Sequence, residues 1–175
     1  MSDAPKPRRR ITLRRGLVAV PTFTPAKEDH YTMRPSILAL DLEGTLISNA
    51  VSQIPRPGLY EFLESAKSLF EGLVIFTTVP EPRFREIADL LACEGAAPGW
   101  FARLPYIDWT GPTKDLANVS QPIGSAWLLD DYAPYVQPGQ EHCWVPVQLF
   151  CSPYPEDDAG LDEAIEAIRK RLNEY

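Results

Sequence analysis

Residues 37–40, Ile-Leu-Ala-Leu, form an unbroken apolar run that stops at Asp41 and passes at once into Leu42, Glu43, Gly44 and Thr45. A run with no polar alternation suits a strand buried on both faces, the kind found inside a parallel sheet. Its abrupt end places two carboxylates where the sheet meets solvent, and paired acids there call for a positive partner. The theme returns twice. Leu-Val-Ile-Phe-Thr-Thr, residues 73–78, reads as a strand ending in hydroxyls, and Ser125–Val136, SAWLLDDYAPYV, reads as an apolar strand delivering Asp130 and Asp131 to its carboxyl end. A further strand is expected around Cys143–Val147.

Between these runs the apolar period changes from strand-like to helical. Leu59, Phe62, Leu63, Ala66, Leu69 and Phe70 share one helical face, with Pro57 expected at the first helical position and Gly72 expected to close the helix. Residues 81–95 place Phe84, Ile87, Ala88 and Leu91 together, and a final helix from Leu161 to Leu172 aligns Leu161, Ile165, Ile168 and Leu172. A short helix is expected at residues 113–119, TKDLANV. Alternating strands and helices predict an α/β fold: a three-layer α/β/α sandwich around a mainly parallel, Rossmann-like sheet. In such sheets ligands bind beyond the carboxyl ends of the strands, where Asp41, Glu43, Thr77, Thr78, Asp130 and Asp131 would all lie.

The 175 residues suffice for one domain with a continuous core. Residues 1–35 read as a basic arm and lead-in, with a short strand expected at Gly16–Val20, and residues 36–175 as the folded domain with a small aromatic insertion at about 96–112. Residues 1–15 carry six basic side chains against Asp3, a local +5 that leaves −12 of the net −7 for the remainder. The arm suits an acidic or nucleic-acid partner, whereas so acidic a body argues against a general nucleic-acid binder. Cys93, Cys143 and Cys151 make neither a disulfide framework nor a zinc cluster, and His30 and His142 are too few for a histidine metal site. No apolar run approaches the roughly 18 residues needed to cross a bilayer, and no export signal is convincing. The expectation is a cytoplasmic protein with no membrane partner.

Four segments in order, DLEGT, VIFTT, the lysine of GPTKDL, and LLDD, resemble the motifs of the haloacid dehalogenase (HAD) superfamily. RPGLYEFLESAKSLFEGLVIFTT followed by TKDL and WLLDDYAPYV resembles, more narrowly, the RNA polymerase II C-terminal-domain phosphatase or NLI-interacting-factor-like branch, over roughly residues 37–172. The resemblance implies a HAD-like Mg²⁺-dependent phosphatase that works through an aspartyl-phosphate. Asp41 would be the nucleophile, and Glu43 the general acid and then base. Thr77 and Lys114 would bind the phosphoryl group and share in catalysis. Asp41, Asp130, Asp131 and the Glu43 carbonyl would hold the metal or its water, since hard oxygen donors suit Mg²⁺. Thr78 reads as a structural neighbour.

The chain departs from the branch at DLEGT, where D-x-D-E-T is usual. One extra methylene at Glu43 displaces the acid by roughly 1.5 Å if nothing adjusts, which slows proton transfer. Only 35 residues separate Asp41 from Thr77 and 36 separate Thr77 from Lys114, so no large cap domain is expected. An uncapped site favours a phosphorylated protein segment as substrate. A nucleic-acid end, a small metabolite, or a catalytically weak binding and scaffold role are the alternatives. Trp100, Phe101, Tyr106 and Trp109 would form a minor core or line the entrance.

Overall fold

The computed structural model describes residues 33–175, so the basic arm and the strand expected at Gly16–Val20 lie outside the described residues. Four parallel strands form one sheet in the order β2-β1-β3-β4: β1 Ile37–Leu40, β2 Gly72–Ile75, β3 Ala126–Asp130 and β4 Trp144–Pro146. Three helices accompany them, α1 Leu59–Leu69, α2 Glu81–Cys93 and α3 Gly160–Leu172. The register pairs Leu40 with Ile75 on one side and with Leu129 on the other, which aligns the carboxyl ends of β2, β1 and β3. The chain leaves β1 toward β2 and then returns past β1 to β3. With right-handed crossovers this reversal puts α1 and α2 on opposite faces, and the crevice it opens lies between the ends of β1 and β3.

Both middle strands are buried as their composition requires: Leu38, Ala39 and Leu40 are wholly inaccessible, and every residue of β3 is buried. Each helix buries the stripe its periodicity predicts. In α1 this is Leu59, Phe62, Leu63 and Ala66; in α2, Phe84, Ile87, Ala88 and Leu91; in α3, Leu161, Ala164, Ile165, Ile168 and Leu172. Trp127 of β3 is fully buried, with Phe70 edge-on at 6.1 Å and the Arg171 guanidinium 4.0 Å from its ring centre.

Several expected boundaries shift. Pro57 precedes the helix instead of opening it, because Gly58, in the left-handed region at φ 75°, is the residue that turns the chain into α1. Gly72 does not close α1, whose cap is Phe70; it begins β2. The strand expected over 73–78 runs as β2 only to Ile75; Phe76 N–H still donates to the Leu40 carbonyl at 2.8 Å, and both threonines lie beyond that last bond to β1. In SAWLLDDYAPYV the strand ends at Asp130, and Ala133–Tyr135 is a 3₁₀ turn, as Leu116–Asn118 is in TKDLANV. The aromatic insertion supplies another, Phe101–Arg103, packed on α2 with Phe101 meeting Phe84 at 5.4 Å.

One buried ion pair ties the turn after β1 to the segment before α3. The Arg56 guanidinium, fully enclosed, donates from Nε and Nη2 to the two Asp158 oxygens at 2.7 and 2.8 Å. Its Nη1 donates to the carbonyls of Thr45 at 3.2 Å and Gln148 at 2.7 Å. A Cβ on Gly160 would lie 2.0 Å from Nη2, so only glycine permits this approach. The Arg56 hydrogen bonds hold the Asp158 carboxyl below the usual carboxylate range, so this pair's contribution is present at neutral pH and fades as acid protonates Asp158. A lysine cannot reproduce the planar, four-contact fork. Arg56→Lys is therefore expected to destabilise the protein by about 3 kcal/mol in urea unfolding at neutral pH, the scale for breaking a buried pair.

Candidate active site

Lys114 is at the centre. Its side chain is fully inaccessible, and Nζ donates to Asp41 Oδ1 at 2.7 Å and Asp130 Oδ2 at 2.5 Å. The backbone brings it there: Lys114 N–H donates to the Tyr135 carbonyl at 2.6 Å, and the Thr113 hydroxyl bonds to Gln137. Asp115 then caps the following turn through Ala117 N–H at 2.9 Å, while Gln140 holds both Asp115 and Leu116 N–H. The aromatic rings of Trp109 and Tyr135 stand 5.7 and 5.6 Å from Nζ, within reach of a cation–π attraction.

Asp41 follows the last residue of β1 and Asp130 ends β3, so adjacent strands bring them together at the switch crevice. Asp130 is wholly buried; its Oδ1 accepts Tyr132 N–H at 2.8 Å, and its carbonyl accepts the Trp144 indole N–H at 2.9 Å. Burial first, and then the neighbouring Asp41 charge, push the Asp130 carboxyl up to about 6 against the pull of Lys114. Burial likewise raises Asp131, opposed by its hydrogen bond from Thr45.

Thr45, which the sequence reading left without a role, binds the two acids to one another. Its buried hydroxyl oxygen lies 2.8 Å from Asp131 Oδ1 and 3.2 Å from Asp41 Oδ2, and it accepts Asp131 N–H at 3.2 Å. Gly44 makes that approach possible: its φ is +76°, and a Cβ would stand 2.8 and 2.9 Å from the Asp131 carboxylate oxygens. The S/T-plus-glycine turn was visible in DLEGT, but the contact partner 86 residues away was not.

Oxygen atoms of Asp41, Asp130 and Asp131 all lie within 4.8 Å of one another. Three carboxylates against one ammonium leave a formal charge of −2 in a largely desolvated space, and every donor is a hard oxygen. This set fits a hard divalent cation. The Glu43 carboxylate stands apart from the cluster, where its Oε1 accepts Ala50 N–H at 2.6 Å. Arg83 steadies the same turn by donating to the Ala50 carbonyl at 2.7 Å.

The acids open into a cleft of about 280 Å³ whose walls include Asp41, Glu43, Asp131 and Thr78. Thr78 is exposed there, while Thr77 is buried, its Oγ1 3.4 Å from Val79 N–H. Thr78, read from sequence as a bystander, thus faces the same cleft as the carboxylates. Thr77 and Thr78 both border a second cleft, of about 650 Å³, walled by Tyr106 and Trp109 of the aromatic insertion. Of the other insertion aromatics, Phe101 is core, and Trp100 packs on Lys67 and donates to Glu64 at 2.9 Å. No helix among the described residues is long and apolar enough to cross a membrane.

No individual curated protein matches the chain. The family model of the NLI interacting factor-like phosphatases matches residues 36–174, which takes in the whole parallel sheet, the three helices and all of the residues gathered around Lys114. The parallel sheet with its three helices is an α/β HAD-like fold, and the chain belongs to the NLI interacting factor-like phosphatase family.

Proposed function

We propose that this protein is a Mg²⁺-dependent phosphatase that hydrolyses phosphomonoesters of phosphorylated protein through an aspartyl-phosphate on Asp41. The observation that carries the reading is the buried ammonium of Lys114, shared by Asp41 and Asp130 beside a third acid, Asp131. Two formal negative charges left over in such a space are costly unless a ligand cancels them, and a binding module has no need of that cost. Bound Mg²⁺, held by Asp41, Asp130 and Asp131, would neutralise the excess charge and draw in the phosphate dianion.

Each side chain then has a task. Lys114 holds Asp41 Oδ1 and the Thr45 hydroxyl lies 3.2 Å from Oδ2, so the carboxylate is kept from rotating as it attacks phosphorus. Thr77 and Thr78, just beyond β2, supply donors to the phosphoryl oxygens. Glu43 protonates the leaving oxygen and afterwards takes a proton from water, with the Oε not held by Ala50 free to do so. That tether also favours slow handling of poor leaving groups, and so the second reading, a scaffold with residual activity.

Asp41→Asn is expected to lower the Mg²⁺-dependent hydrolysis of an aryl phosphate by about a thousandfold or more; a rate equal to wild type would remove Asp41 as nucleophile. Glu43→Gln should slow an alkyl phosphate, whose leaving group needs a proton, by at least about tenfold more than an aryl phosphate. Loss of the same factor on both would contradict the role given to Glu43.

A third outcome follows from Asp130. Its carboxyl rises from 3.8 to about 6 in the folded, metal-free protein. The folded state therefore binds the proton more tightly, and the stability this contributes, full below pH 4, is lost as pH climbs through 6. Mg²⁺ should raise the melting temperature clearly at pH 7.5 and much less at pH 5, where it must displace that proton. Asp130→Asn should abolish the rise; equal shifts at both pH values would contradict the metal assignment.

A further inference from the structure

Charge is distributed unevenly around the two adjoining clefts. Thr78 lines both, so a ligand centred on the carboxylates continues directly into the larger space walled by Tyr106 and Trp109. Among the described residues no lysine or arginine lines either one, and the larger cleft carries Glu81 and Asp108. Asp108 is exposed and makes no ion pair among the described residues; Glu81 meets Arg85 through Oε1 alone. The polar atoms of the aromatic walls are already engaged, Tyr106 O–H with the Val79 carbonyl at 2.7 Å and Trp109 N–H with the Thr113 carbonyl at 2.8 Å. Burial first, and then the charges of Asp108 and Glu81, push the Tyr106 phenol up. What remains for a ligand is aromatic surface and carboxylate, the combination that suits an arginine or lysine side chain.

We propose that the cleft bounded by Thr78, Tyr106, Asp108 and Trp109 is a subsite for a cationic side chain flanking the phosphorylated residue. This makes the substrate class a phosphoprotein segment with basic neighbours, and it rests on the phosphatase reading above. At about 650 Å³ the cleft has room for a long side chain and part of its backbone. A cationic flank also offsets the repulsion between a phosphate dianion and so acidic a body, while an acidic flank adds to it.

The test uses the full chain and three phosphopeptides of one sequence, with Arg, Ala or Glu at the positions on either side of the phosphoresidue. The order of kcat/KM should be Arg above Ala above Glu, with at least about fivefold between the extremes at low salt and convergence at high salt. Asp108→Asn should shrink that ratio, and Asp108→Lys should invert it. Fluorescence anisotropy with the corresponding phosphonate peptides, which are not hydrolysed, reads the same ranking as affinity. Failure to hydrolyse any phosphate ester counts against the phosphatase reading alone. Equal binding of the three phosphonates, or a ratio unchanged in Asp108→Lys, overturns the subsite.

Discussion

The ammonium of Lys114, enclosed between Asp41 and Asp130, is the contact on which the rest of the structure turns. Two carboxylates at the ends of neighbouring strands repel one another, and burial makes the repulsion worse because it removes the water that would screen them. Lys114 offsets both effects only by being buried itself, and a buried lysine needs partners on every side. Its surroundings supply them: two carboxylates, two aromatic rings, and a backbone pinned to Tyr135. The segment from Thr113 to Gln140 can thus be understood as the support for one charge.

A second support reaches the same acids from the opposite direction. Thr45 joins Asp41 to Asp131, its carbonyl is held by Arg56, and Arg56 is held by Asp158 far along the chain. The two arrangements fix the Asp41 carboxylate through different oxygens, Oδ1 by Lys114 and Oδ2 by Thr45. A group meant to attack along one line gains most from such immobilisation, because orientation lost before the reaction need not be lost during it. The sheet contributes the positions, and these polar chains contribute the aim.

The acids were legible because strand-end residues announce themselves: an apolar run that stops at a carboxylate puts that carboxylate at the sheet's edge, and parallel register aligns the edges. The same logic located Lys114 only through the order of the four motifs, since a single lysine in a loop carries no periodic signal. Arg56 and Thr45 were not legible in their roles, because each acts through partners roughly a hundred residues away that no local pattern encodes. The choice between Thr77 and Thr78 could not be read either. Beyond Phe76, whose N–H makes the last bond to β1, the chain leaves the strand, and which hydroxyl points outward depends on that departure. Gly58 and Gly72 show the same limit, as a glycine marks a change of direction without stating which element it serves.

The central claim is that Asp41 carries the phosphoryl group. Borohydride reduces an acyl phosphate to the alcohol, so quenching the protein during turnover of an aryl phosphate with Mg²⁺ and sequencing its peptides by mass spectrometry reads that claim at one residue. The account predicts homoserine at position 41 and at no other acid, appearing only with substrate present. Sustained turnover with Asp41 unmodified and the label at another acid would contradict it.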